Sequence, residues 1–415
     1  MKYLFSIILL CLSMSPVFSD DHNWQDDIQF HGFASQAFVY TTDNSFFGHS
    51  EDGSVDFTEL GINTSYQVSS RARVAGQILS RHAGKLDNGS PRVDFALVDF
   101  NMMSFDAGRL GAYLGRIKNP IGLYNETRDV AFTRQGVFAP QVIYFDKVRD
   151  LIMSSDGVHI YGEYFLSNGT LLMQAGTGYP LPDKNVEYAY MGRNWDGDLE
   201  GNDLGVFGRI MYEHDGGRWI YSLTGSRMTI DFDHGAADAI PFPAGPGLSS
   251  GDIDVDYSVL SAQYNGEKWQ FTTEVAFEHV AYNDIGAAFD SEGFDSIGYY
   301  GQLDYKFTPS WQAFIRYEEF QLNIDDWNGG KAERKSIATS DSLAGFGIQQ
   351  TPTPAHANYA KILVLGTHWD LKDNLRLRAE VHIAEGSATL SQRENDIALT
   401  DKYWNMFATS LSYRF

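Results

Sequence analysis

Tight turns and long polar loops alternate along this chain, and that alternation constrains its fold more than any single motif. The turns are LSNG near Leu166, HDGG near His214, NGEK near Asn265, TPS near Thr308 and KDN near Lys372. They are built from Gly, Asn, Asp and Pro, the residues that reverse a backbone cheaply. Between them lie polar loops at roughly 180–202, 231–253, 283–293, 324–356 and 386–401. A sandwich with Greek-key connections has no reason to alternate in this way. An up-and-down barrel does so by construction, with short turns on one rim and long loops on the other.

The segments between connections repeat with a period of two, and convincing helical periodicity is absent. Leu60, Ile62, Tyr66 and Val68 alternate with Glu59, Gly61, Asn63, Ser65 and Gln67. Trp269, Phe271, Val275 and Phe277 alternate with Gln270, Thr272, Glu274 and Glu278, and Leu375 to Ile383 alternate with Arg376, Arg378, Glu380 and His382. Periodicity alone does not choose between a solvated sandwich and a barrel whose apolar row faces lipid; the connections do. The expected fold is all-β: a transmembrane antiparallel up-and-down β-barrel of about 16 strands. Segments 28–40 and 91–104 alternate poorly. No linker or composition break divides the chain, so residues 20–415 are expected to form a single domain.

Lys2, the apolar run 3–12 and the following SMSPVFS have the form of a signal peptide, with Val17 and Ser19 at the cleavage positions. The run is too short to span a bilayer, so residues 1–19 are expected to be a leader for export through the periplasm. The single cysteine, Cys11, falls inside it, which leaves the remainder without disulfide or thiol chemistry. A net charge of −23 argues against a nucleic-acid partner. At the other end, FATSLSYRF places Phe407, Leu411, Tyr413 and Phe415 on one strand face. Leu411, Tyr413 and Phe415 resemble the C-terminal assembly signal of Gram-negative outer-membrane proteins. That resemblance implies a location in the outer membrane, among its lipids.

One loop is unlike the others. NPIGLYNETRDVAFTRQGVFAPQVIYFDKVRDLIMSS, the third long loop, is too apolar to stand in water, with Val137, Phe138, Val142, Ile143, Tyr144 and Phe145 close together. It reads either as a loop folded into the barrel to form a constriction, or as a surface loop packed on neighbours or gripping another subunit. GRIKNPIGLY (115–124) followed by FTR (132–134) resembles the segment around the constriction loop in phosphate-selective porins and their relatives. The resemblance covers about forty residues. It implies 16-stranded homotrimeric barrels with basic side chains in the lumen, passing small hydrophilic solutes, with a preference for anions.

Arg73, Arg81, Arg116, Lys118, Arg209, Arg316, Arg376 and Arg378 are assigned to the polar, lumen-facing phase, because a basic residue facing mid-bilayer lipid costs roughly 2–4 kcal/mol. Arg128 and Arg134 lie in the loop itself and are expected to oppose Arg116 and Lys118 across the narrowest point. Any one of these also reads as a strut paired with a neighbouring carboxylate. Glu126, Asp129, Asp146 and Asp150 balance the basic residues of the loop, and the lumen phase holds Glu163, Glu213, Glu274, Glu318 and Glu380. Those acids weigh against selectivity for phosphate itself.

Other chemistry finds little support. NWDGDLEGND (194–203) has acids at close spacing, but its Gly and closing Glu are misplaced for a calcium loop, and it reads as a solvated acidic loop. The histidines show no metal-ligand spacing, and no nucleophile motif or phosphate loop is present. No metal, no cofactor and no enzymatic activity are therefore expected. A barrel enzyme of lipase or protease type, or an adhesin or receptor barrel, are the competing readings.

Overall fold

The computed structural model describes residues 28–287, 289 and 292–415; the leader expected at 1–19 lies outside them. Sixteen strands form the wall: β1 (Ile28–Thr41), β2 (Ser54–Ser69), β3 (Ala72–Ala83), β4 (Arg92–Phe105), β5 (Gly108–Lys118), β6 (Ser154–Leu166), β7 (Gly169–Tyr179) and β8 (Gly205–His214), then β9 (Trp219–Asp233), β10 (Gly251–Asn265), β11 (Trp269–Asn283), β12 (Phe294–Thr308), β13 (Trp311–Gln321), β14 (Tyr359–Lys372), β15 (Leu375–Glu385) and β16 (Tyr403–Arg414). Each pairs antiparallel with its neighbours, and β16 pairs with β1 from Phe33↔Arg414 to Thr41↔Met406, so the sheet closes on itself. Closure removes the unpaired edge that no membrane tolerates. Two short segments, Asp87–Asn88 and Asp198–Glu200, extend the sheet beside β3 and β9.

Seven connections of two to four residues alternate with eight long ones. The row expected to face lipid does point outward: Leu60, Ile62, Ile78, Val206, Ile210, Leu260 and Phe277 are all exposed. The opposite row is buried in the interior and carries Glu59, Arg81, Glu274, Arg316, Glu318, Arg378 and Glu380. Burial alternates along β1 too, but its inner row holds Phe33, Ala37 and Val39, apolar side chains that fill the interior. That is why β1 alternates poorly in sequence. In β4 a register shift against Gln77/Ile78 breaks the phase.

Among the described residues three α-helices depart from the sequence expectation: α1 (Arg149–Met153), α2 (Lys184–Met191) and α3 (Gly330–Ala344). Asp183 caps α2 by accepting from the backbone N–H groups of Asn185 and Val186. Helix α3 buries no residue, so no apolar stripe marks it in the sequence. Asp231, Asp233 and Asp252, expected in a loop, instead belong to the upper ends of β9 and β10.

Candidate functional site

Strand β5 ends at Lys118 and β6 starts at Ser154, so the chain between them, loop 3 (119–153), turns into the barrel. Its two ends are tied together. Asn119 donates its backbone N–H to Met153 O at 3.0 Å, and the Asn125 side-chain amide donates to Asn119 O and Ile152 O at 3.0 and 2.8 Å. Gly122 sits at φ 57°, and a Cβ there would lie 2.3 Å from the Tyr144 hydroxyl. Only glycine fits this turn.

From there the loop crosses the lumen and is held on the far wall. Glu274 on β11 accepts from Leu123 N (2.9 Å), Tyr144 Oη (2.7 Å), Tyr300 Oη (2.9 Å) and Ser261 Oγ (2.7 Å). Glu380 on β15 accepts from Val137 N at 2.8 Å, and Arg378 donates to Ala131 O and Gly136 O at 2.7 and 3.1 Å. Tyr257 donates to Ile143 O at 2.7 Å. Val142, Ile143 and Tyr144 have no exposed surface, and Phe138 packs against Phe46, Phe47 and Phe57. The apolar loop is therefore a packed layer inside the barrel, as the first of its two readings has it. Wall carboxylates satisfy backbone groups that would otherwise be buried and unpaired.

On the β2–β3 side the loop meets charge. Arg81 bonds Asp146 at 2.8 Å and lies 3.5 Å from Glu59; Arg134 bonds Glu59 at 2.8 Å; Arg128 bonds Asp146 at 3.3 Å. Lys118 bonds Asp94 at 2.8 Å and also Asp129, which Arg149 engages from the other side. Burial, then the like charges of Arg128 and Arg81, pull the Arg149 guanidinium well below its ordinary range. Burial likewise brings the Lys147 ammonium down to about 8; its Nζ donates to Ala388 O at 2.7 Å, at a cavity of about 50 Å³ on the outer side of the loop.

The remaining basic candidates are spread along the lumen. Arg209 reaches Glu126 of the loop. Arg316 bonds Glu318 at 2.6 Å, and Arg376 forks onto Asp370 at 2.5 and 3.0 Å while donating to Phe132 O. Arg73, beside Asp99 at 3.3 Å, is half exposed toward the short-turn rim, as is Arg109 with Glu163 at 2.7 Å.

Arg116 is not in the lumen. Its register partners are Ala96 and Asp156, in the same row as Leu114, Val158 and Ile160, all outward and exposed. The expectation that Arg116 and Lys118 share the inner face is corrected: Lys118, the last residue of β5, turns inward with the loop, and Arg116 faces out. Its cost is small because the apolar belt ends there. Arg227 paired with Asp256, and Glu319 beside Lys361, are outward at similar height, eight residues above the Trp219 and Trp311 ends of their strands. Eight residues at ~3.3 Å and a ~45° tilt span about 19 Å, enough to bring Arg116 near the interface, where a basic residue costs about 0–1 kcal/mol. Glu274, Glu380 and Arg149 were not among the expected site residues; for the two glutamates an acid in mid-strand on the inner row was the visible signal.

The closed 16-stranded antiparallel barrel is shared with solved porins and outer-membrane channels. The barrel is similar to OprB of Pseudomonas putida, with TM-score 0.57 and 12% identity over 94% of this chain and 95% of that one. An anion-selective porin from Comamonas acidovorans gives 0.55 and 12% over 94% and 99%. The trimer form of OmpT from Vibrio cholerae gives 0.52 and 11% over 94% and 99%.

The chain has the porin fold. At these identities the likeness is one of fold. No family model matches the chain, and no curated protein matches its sequence.

Proposed function

We propose that the protein is an outer-membrane porin, a passive aqueous channel for small hydrophilic solutes with a preference for anions, and not an enzyme. One observation carries this reading: loop 3 spans the inside of a closed barrel whose inner row is polar and whose outer row is apolar. Such a wall requires lipid outside, and such a loop sets the width of whatever passes. The proposed site is Arg81, Lys118, Arg128, Arg134, Arg209, Arg316, Arg376 and Arg378 around that loop, with Arg73 nearer the short-turn rim. The basic side chains clustered near β2 and β3 support anions, and the resemblance at 115–134 extends the proposal to the phosphate-selective porins.

The same reading makes the protein a homotrimer, reached through the periplasm by the leader. In support, the outward tryptophans Trp219, Trp269, Trp311 and Trp369 all sit on β9–β14, where an interfacial girdle marks contact with lipid. The outward rows of β3–β5 hold Gly76, Ala96, Ala112 and the paired Arg116 among larger apolar residues such as Val74, Ile78, Phe100 and Leu114, a surface that suits another protein wall as well as lipid. Single-channel recording in a planar bilayer tests the channel: discrete ohmic steps are expected, and a barrel that inserts without conducting defeats the reading.

A further inference from the structure

Loop 8 (386–402), between β15 and β16, folds into the mouth of the barrel. Residues 387–391 are buried there, and Lys147 of loop 3 donates to Ala388 O. Farther along, Arg393 donates to Asn185 Oδ1 at 2.8 Å. Asn185 belongs to α2, in the connection between β7 and β8, on the opposite side of the ring. Its side-chain amide in turn donates at 2.8 Å to Leu86 O of loop 2 (84–91). Connections from opposite walls therefore meet over loop 3.

A carboxylate holds the tip of loop 8. Glu394 accepts from the backbone N–H groups of Phe47 (2.9 Å), Gly48 (2.7 Å) and Lys85 (3.0 Å). Phe47 and Gly48 lie in loop 1 (42–53) and take left-handed φ of 57° and 87°, which turns successive N–H groups toward one point. Gly84 completes this nest: its φ is 52°, and a Cβ there would collide with Glu394 Oε1. A left-handed phenylalanine is strained, and such backbone persists only where its surroundings hold it. The nest is thus shaped for an anion, and the chain's own glutamate fills it. Two features make the tie releasable. Glu394 is only half-buried, so water replaces its donors when it leaves. The packing under the loop is also incomplete: the cavity of about 50 Å³ beside Lys147 is lined by Leu390, Ser391 and Gln392 of loop 8 and by Ala189 of α2. Segments so loosely packed open before the rest of a fold.

We propose that loop 8 is a lid closing the mouth of the barrel over loop 3, and that the Glu394 carboxylate in its backbone nest is the latch. Release frees the tip and lets residues 387–391 leave the lumen. The consequence for conduction rests on the channel reading, whereas the movement itself does not, and the test separates the two. Ser391→Cys places a thiol in the buried stretch, and Cys11→Ser leaves it the only one in the chain. Its rate of labelling by a membrane-impermeant maleimide reports lid opening in the folded barrel. Glu394→Gln removes the latch charge from loop 8, and Gly84→Val crowds the nest from loop 2 without altering the lid. Each should speed labelling about tenfold or more, the factor that losing one charge-assisted bond implies. Each should also lengthen the time spent in the conducting step in planar bilayers. Asp396→Asn, an exposed acid two residues along, should change neither. Should Gly84→Val fail to fold, Glu394→Gln decides alone. Faster labelling in a barrel that never conducts would keep the lid and defeat the channel. Labelling as fast as that of a free thiol with the latch intact, or as slow with Glu394→Gln as without it, would overturn the proposal.

Discussion

Arg116 and Asp156 face each other across the β5–β6 seam on the outside of the barrel, Nε to Oδ1 at 2.8 Å and Nη2 to Oδ2 at 2.9 Å. Both are partly exposed, 27% and 31% at the side chain, so the pair is neither a pore lining nor a sealed core contact. Being outward, Arg116 does not set ion selectivity. Arg116→Glu should leave the reversal potential where it is, whereas Lys118→Glu, inside the barrel, should move it toward cations. A shift from Arg116→Glu as large as that from Lys118→Glu would return Arg116 to the lumen.

The same pair bears on stability. Asp156→Leu leaves a guanidinium unpaired at the edge of the apolar belt, and the loss should be about 1–3 kcal/mol, since breaking a charge-assisted fork costs more than an exposed pair contributes. Replacing both, Arg116→Leu with Asp156→Leu, should recover most of it. Urea titration of folded barrel in vesicles gives the comparison. A single variant as stable as the parent would show the pair to be ornamental.

Glu274 holds loop 3 from the far wall through four donors, two of them on the loop. Glu274→Gln keeps the volume but loses the charge that strengthens those bonds. Loop 3 should loosen, with larger and noisier single-channel steps in planar bilayers. Glu318→Gln, another inner-row acid but bonded to the wall residue Arg316, should leave the step size close to the parent's. Unchanged conductance in Glu274→Gln would mean that the loop's position does not depend on this anchor.

How much of this was legible beforehand follows from which forces leave a local trace. Outward rows such as Leu60/Ile62 and Phe271/Phe277 were visible because lipid demands an apolar side chain at every second position. Loop 3 was visible because Phe138 to Phe145 are too apolar for water. The orientation of Arg116 was hidden: its partner Asp156 is forty residues away, and only the register shows that both face outward. The buried cluster was hidden too, because Glu59, Arg81 and Arg134 meet only once the barrel closes. Helix α3 left no signal since nothing packs on it strongly enough to impose a stripe.

Lys147 provides a test by pH. Burial holds its ammonium down to about 8, so the side chain is charged below that pH and neutral above it. Anion preference should fall as pH rises from 7 to 9, read as a drift of reversal potential in a salt gradient. Lys147→Met should remove the drift and resemble the parent at high pH. A drift that survives in Lys147→Met would assign the titration to another group.

The seam of the barrel rests on Gly32 and Phe415. Their backbones exchange two hydrogen bonds, Gly32 N to Phe415 O at 3.1 Å and Phe415 N to Gly32 O at 3.0 Å. The Phe415 ring lies over Gly32 so closely that a Cβ there would come within 2.3 Å of it. Leu411, Tyr413 and Phe415 are all exposed on the outer face, where an assembly factor would read them. Two roles are thus open to the last residue, and they separate by experiment. Gly32→Val displaces the ring but keeps the terminal sequence, and deleting Phe415 removes both the ring and two bonds worth about 1 kcal/mol each. If Phe415 serves only the seam, both variants should lower heat resistance of the folded barrel and leave outer-membrane yield alike. We expect the deletion to lower yield further, with secretion to the periplasm unchanged, and Phe415→Tyr to restore it. Equal yields from Gly32→Val and the deletion would reduce Phe415 to a clasp.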